Sequence, residues 1–220
     1  MTITNLPPQL LHLILNDESL ARVSDFKAIR EVCRCFNDHK TVQKLRVQHT
    51  GPNRIFSFVH DKKVECLALC GDLEGITVPG LLPAALKELR LGGAKNIPPA
   101  LINRALHSST IENLNLRECD LAGITVPESL PASLKELNLY GAKNILPALI
   151  DKALCSPTIE YLDLEKCDLE GITVPESLPA LLKKLNLRRS RNIPPDLITK
   201  ARACPHCNVT GYNKRVIIAE

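Results

Sequence analysis

The sequence predicts an α/β solenoid, a parallel sheet wound from short strands with a small helical module in front of it. Three observations predict this. A six-residue pattern, apolar at its first, fourth and sixth places, begins at Val64, Leu86, Ile111, Leu134, Ile159 and Leu182, and in a weaker form (C-P-H-C-N-V) at Cys204. The starts lie 22, 25, 23, 25, 23 and 22 residues apart, a spacing at which one short supersecondary unit stacks on the next. A longer period overlies the short one: Ile76-Thr77-Val78-Pro79 returns at Ile124 and again at Ile172, 48 residues on each time. The copied unit is therefore a pair of turns with two different backs.

Each part of the pair has its own logic. By the two-residue alternation of a strand, the first, fourth and sixth residues point into the core, and the third, fifth and seventh point out. After each strand comes a small residue, Ala94, Cys119, Ala142, Cys167 or Ser190, where a bend stacked on its neighbour leaves little room. One back follows Ile97, Ile145 and Ile193. Proline in its first turn, then apolar residues every three or four positions, predicts a short helix. The other back, G-I-T-V-P-E-S-L-P from Gly123, carries two prolines and β-branched residues, and so predicts an extended run rather than a helix.

Composition agrees with an aliphatic ladder. Hydrophobic residues make up 45% of the 220, but aromatics only 3%, with no Trp. A net charge of +4 gives nucleic-acid or membrane binding no support. No apolar run approaches the length that spans a bilayer, and the N-terminus lacks the basic-then-apolar pattern of a secretory signal. Nine cysteines, an odd number spread along a long chain, predict free thiols in a reducing, cytoplasmic compartment rather than a disulfide scaffold.

These segments resemble the leucine-rich-repeat family, over Val64 to about Val209. The resemblance implies a right-handed solenoid with a concave parallel sheet of about seven strands, occupying residues 64–220. The cysteines after the strands are similar to those of its cysteine-containing subclass.

Residues 1–50 do not follow the repeat. Asn5 can cap a helix with Pro7 and Pro8 in its first turn and Leu10, Leu11, Ile14 and Leu15 on one face. A second helix is predicted from Ser24 or Asp25, burying Phe26, Ile29, Val32, Cys33 and Phe36. Leu6-Pro7, then Leu10 and Ile14, then Val32-Cys33-Arg34-x-Phe36 resemble an F-box. Phe36 stands where that family usually has Trp, and the intervening loop is about three residues longer. The resemblance implies that Leu6, Pro7, Leu10, Ile14, Val32, Cys33 and Phe36 bind the Skp-type adaptor of a cullin ubiquitin ligase, and that the repeats select its protein substrate. The alternative is a helical cap that hides the apolar end of the stack, as terminal repeats require. Residues 51–63 read as a linker, with an irregular first strand over Arg54–His60. The near-identical 48-residue copies and compact F-box are also similar to effectors that intracellular bacteria deliver into a host cytosol.

No catalytic, cofactor or metal site is predicted. Cys204-x-x-Cys207 is half of a zinc site without its second pair, and it falls on repeat positions that pack. Cys119-Asp120 and Cys167-Asp168 place sulfur inward, and no His recurs at a fixed offset to act as base. The outward strand face remains. Two of the chain's three tyrosines project from its middle, and Tyr and Arg are enriched in binding hot spots. Arg117, Tyr140, Tyr161, Glu165 and Arg188 are therefore the candidate contacts for a protein partner.

Overall fold

A computed structural model describes residues 44–49, 64–204 and 207–211. Within them, eight strands form one all-parallel sheet whose spatial order equals the sequence order. They are β1 (Lys44–His49), β2 (Cys66–Gly71), β3 (Glu88–Arg90), β4 (Asn113–Asn115), β5 (Glu136–Asn138), β6 (Tyr161–Asp163), β7 (Lys184–Asn186) and β8 (Asn208–Thr210). Helix α1 (Pro99–Leu106) follows β3, α2 (Pro147–Cys155) follows β5 and α3 (Pro195–Ala203) follows β7. Helical and non-helical backs thus alternate, in a solenoid-like arrangement. Eight strands at about 4.8 Å spacing extend the sheet over about 34 Å.

The apolar places are where the alternation puts them. From Val64, Leu67 and Leu69 through Leu182, Leu185 and Leu187, all the first, fourth and sixth residues of six successive segments are buried, none more than 1% exposed. The three helices start on proline, which has no N–H to leave unsatisfied, and none has a side-chain cap. Leu101, Ile102, Ala105 and Leu106 of α1, and Leu149, Ile150, Ala153 and Leu154 of α2, close the core opposite the sheet. The extended backs are held to the helices before them: the Asn103 side chain accepts the Thr125 N–H at 2.9 Å, and Asp151 accepts that of Thr173 at 2.7 Å, the same bond one 48-residue copy later.

Two assignments from the sequence are corrected. Lys44–His49, placed in the helical module 1–50, is a strand paired in parallel with β2. Its pairing sets Leu45 opposite Leu67 and Val47 opposite Leu69, so these two hold the fourth and sixth places of a further segment, one short period before β2. At the other end, Lys184 pairs with Asn208 and Leu185 with Val209. Val209 therefore takes the fourth place of the final segment, not the sixth place that a start at Cys204 gives it. A slip of two residues keeps the same face toward the core, so apolar spacing alone did not separate the two registers. The strand predicted over Arg54–His60 and the helices predicted before Lys40 lie outside the described residues.

Tight bends between strands and backs use a left-handed residue at one fixed place. The residue two beyond each sixth-place leucine has positive φ: Gly71, Gly93, Glu118, Gly141, Lys166 and Arg189. Half are glycine; the other three hold a conformation that costs a residue with a Cβ about 1–2 kcal/mol.

Candidate protein-interaction face

The outward side chains of the sheet form three columns, and backbone bonding fixes each. Sixth-place N–H groups donate to the next strand's fifth-place carbonyl, as Leu116 does to Asn138 at 2.8 Å and Leu139 to Asp163 at 2.8 Å. One step later the N–H of Gly93, Glu118, Gly141 and Lys166 donates to the carbonyl of Arg117, Tyr140, Glu165 and Arg188 in turn, at 2.7–3.0 Å. These last four residues therefore stand side by side at strand spacing, a row of about 14 Å.

The fifth-place column works for the fold. The side-chain oxygen of Asn115 accepts the Arg117 N–H at 3.1 Å; Asn138 does so for Tyr140 at 2.9 Å, Asp163 for Glu165 at 2.9 Å and Asn186 for Arg188 at 3.2 Å. Each is a local side-chain turn that satisfies an N–H where the strand ends. Asn186 also donates to Asp163 at 3.0 Å and to Glu165 at 3.2 Å, and accepts from Thr210 at 3.0 Å. The sequence reading gave this column no role of its own. The signal was present: Asn or Asp recurs there in four consecutive strands.

Four of the five candidate contacts, Arg117, Tyr140, Glu165 and Arg188, fall in the seventh-place row. Tyr140 is flanked by cations, with the Arg117 guanidinium 4.3 Å and the Lys166 ammonium 4.7 Å from its ring centroid, both within cation–π range. Lys166 was missing from the sequence reading because eighth-place residues lie outside the strand alternation. Tyr161 is separate. It stands in the third-place column between Glu136 and Lys184, is 40% exposed, and lines an open depression of about 260 Å³ together with Glu88, Arg90, Asn113 and Asp163. Arg90 is paired with Glu88 at 2.6 Å, and the Asn113 amide donates to Glu136. The structure thus divides the predicted patch into a polar floor holding Tyr161 and a rim holding Tyr140. The adaptor-binding candidates Leu6, Pro7, Leu10, Ile14, Val32, Cys33 and Phe36 lie outside the described residues.

Cys119 and Cys167 sit in the bends after β4 and β6. Cys119 Sγ donates to the Leu91 carbonyl at 3.2 Å and Cys167 Sγ to that of Leu139 at 3.0 Å; Ser190, one copy on, makes the same bond to Leu164 at 2.7 Å. Burial pushes the thiols of Cys119 and Cys167 up to about 12, leaving almost no thiolate at neutral pH. Cys204, at the end of α3, and Cys207 are both partly buried, and burial raises the Cys207 thiol to about 11. Among the described residues no three His, Cys, Asp or Glu side chains converge as a metal site, and no helix is long and apolar enough to cross a membrane.

Across the turns, carboxylates serve as joints. Asp72 accepts the Asn96 amide at 2.9 Å, Asp120 that of Asn144 at 2.7 Å and Asp168 that of Asn192 at 2.8 Å. These amides, and the backbone N–H two residues on, hold the Asp120 and Asp168 carboxyls below the ordinary range. At the second place of each strand segment, acids and bases alternate along the sheet margin: Glu65 with Lys87 at 3.8 Å, Glu112 with Lys135 at 2.6 Å, and Glu160 with Lys183.

Comparison with protein-family models, curated proteins and solved structures finds no match.

Proposed function

We propose that this chain is a non-catalytic substrate-recognition subunit of a Skp–cullin–F-box type ubiquitin ligase, built on leucine-rich repeats. Its N-terminal module binds the Skp-type adaptor, and the outward sheet face binds a protein target. The observation that carries the target half is the face itself: a row of exposed and half-buried side chains and an open polar floor, each centred on a tyrosine, on an aliphatic core. The adaptor half is supported by the F-box resemblance of residues 6–36. Such a subunit performs no bond chemistry; it raises the local concentration of target beside the charged enzyme.

The test is co-purification of full-length chain with a Skp-type adaptor, for wild type and for Leu6→Ala with Pro7→Ala. Loss of adaptor in the double variant supports the assignment; no association with wild type removes it. For the target half, Tyr140→Ala with Tyr161→Ala abolishes target capture, and unchanged capture moves the site off this face. A second reading is favoured by one observation. The described sheet begins at Lys44, eight residues after Phe36 in the sequence, which leaves a short connection between the front module and the stack. On that reading the module caps a repeat scaffold with no role in ubiquitin transfer, and the adaptor experiment separates the two.

A further inference from the structure

We propose that the strand-exit rim of the last two full turns, Lys166, Arg188, Arg189 and Arg191 with Arg117 and Tyr140, docks an acidic segment of the protein target. This rests on the proposed function for the target's being a protein, and adds the chemistry that selects it.

The argument is a difference between the two signs of charge in one place. Two acids of these turns are engaged internally: Asp168 by the Asn192 amide and the Glu170 N–H, Glu165 by the Asn186 amide. Of the rim's bases, Arg117 is ion-paired, with the adjacent Glu118 at 3.4 Å; the other four are not. Among the described residues Lys166, Arg188, Arg189 and Arg191 have no carboxylate within ion-pair distance. All four are exposed. They are also held in place by the backbone. The Lys166 N–H donates to the Arg188 carbonyl at 3.0 Å, the Arg191 N–H donates to that of Cys167 at 2.9 Å, and Arg189 is fixed at φ 57°. Lys166 and Arg117 rest against Tyr140 instead of ranging through solvent, so part of the ordering cost of binding is already met. A carboxylate-bearing chain gains charge-assisted bonds from the cations and apolar contact from the ring.

A nucleic acid fits less well. The adjoining floor mixes Glu88, Glu136 and Asp163 with Arg90 and Lys184, so no continuous positive track runs along the face for a phosphate backbone to follow. The positive charge is confined to a few turns, which matches a short acidic stretch.

The experiment is fluorescence anisotropy on the full-length chain with three labelled probes, each of about ten units: a glutamate–aspartate peptide, a lysine peptide and single-stranded DNA. The acidic peptide is expected to bind, with affinity falling as salt rises. Lys166→Glu with Arg188→Glu is expected to weaken it at least about tenfold, because two attractions become repulsions. Lys166→Arg retains binding, and so does Arg104→Gln on α1, away from the face. Unchanged affinity in the double variant, no binding of the acidic peptide, preference for the lysine peptide, or tighter binding of the DNA each overturns the proposal. The probes act without adaptor or target. Failure here with intact tyrosine-dependent target capture leaves the proposed function standing, and loss of adaptor association leaves the rim result untouched.

Discussion

Replacing both core thiols with alanine, Cys119→Ala with Cys167→Ala, is expected to make the protein less stable near neutrality but more resistant to alkali. Alanine already occupies the same place in alternate turns, at Ala94 and Ala142, so no atom is forced into a new position. At neutral pH each substitution loses one buried heavy atom and a weak S–H donor, about 1 kcal/mol per site. The alkaline effect has the opposite sign. The folded thiols sit at about 12 and the unfolded ones at an ordinary value of 9.0. A raised folded pKa contributes stability that is whole below the unfolded value and is lost as pH climbs through the folded one. At about pH 10.5 each thiol therefore removes up to about 2 kcal/mol from wild type, at about 1.36 kcal/mol per pH unit above the unfolded value. Every other group is common to both proteins and cancels in the comparison. Urea unfolding at about pH 7.5 and pH 10.5 reads the difference: wild type should lose up to about 4 kcal/mol more than the variant across that interval. Equal losses would refute the claim that these sulfurs are sealed in the core as neutral donors.

Arg189→Gly is expected to raise stability by about 0.5–1 kcal/mol, since relief of the left-handed strain exceeds the added freedom of the unfolded chain. Lys166→Gly, which also forfeits the contact with Tyr140, should be close to neutral in the same urea assay. Gly211→Ala would set a Cβ 2.1 Å from Arg188 Cα, so β8 must shift; loss of the Leu187 N–H bond to the Thr210 carbonyl should appear as faster hydrogen exchange at Leu187. The depressed Asp120 and Asp168 carboxyls contribute stability that is present above the unfolded pKa and lost as pH falls through the folded one. Asn144→Ala with Asn192→Ala should therefore lower Tm at neutral pH and flatten its fall in acid, as followed by thermal melts across the acidic range.

Much of this was legible because the repeat offers the same clue many times. An aliphatic residue at each first, fourth and sixth place states the strand, its inward face and the register, and proline after Ile97, Ile145 and Ile193 states the helix starts. Legibility failed where a copy is poor. In K-L-R-V-Q-H the apolar residues are correct, but no recognisable back follows, so β1 was absorbed into the helical module. In the final segment Cys204, Cys207 and Val209 mimic the apolar spacing, while hydrogen bonding prefers a register two residues later. The joints were invisible for another reason. Asp120 with Asn144, or Asn103 with Thr125, are adjacent only after the chain has turned once, and polar spacing along one turn does not reveal a partner in the next. Within the candidate site, alternation located the rim row and the floor, but it placed Tyr140 and Tyr161 in one patch although they stand in different columns.

The copies themselves argue for where specificity resides. Positions 48 residues apart occupy equivalent places in the fold, so a difference between them marks a side chain the fold does not dictate. Inward places are unchanged: Leu89, Leu137 and Leu185, or Leu91, Leu139 and Leu187. In the fifth-place column Arg90 gives way to Asn138 and Asn186, and Asn115 to Asp163; from β4 to β7 it is always Asn or Asp, because each accepts an N–H at the strand end. In the seventh-place row the same comparison gives Gly92, Tyr140 and Arg188, or Arg117 and Glu165. There the backbone N–H of Arg117, Tyr140, Glu165 and Arg188 is satisfied by the residue two before, and the side chain meets no requirement of the core. The third-place column diverges as well, Glu136 to Lys184 and Asn113 to Tyr161, so divergence lies on outward places where the fold asks for nothing, which is what a surface selected by a partner would leave, and the row holding Tyr140 is among them.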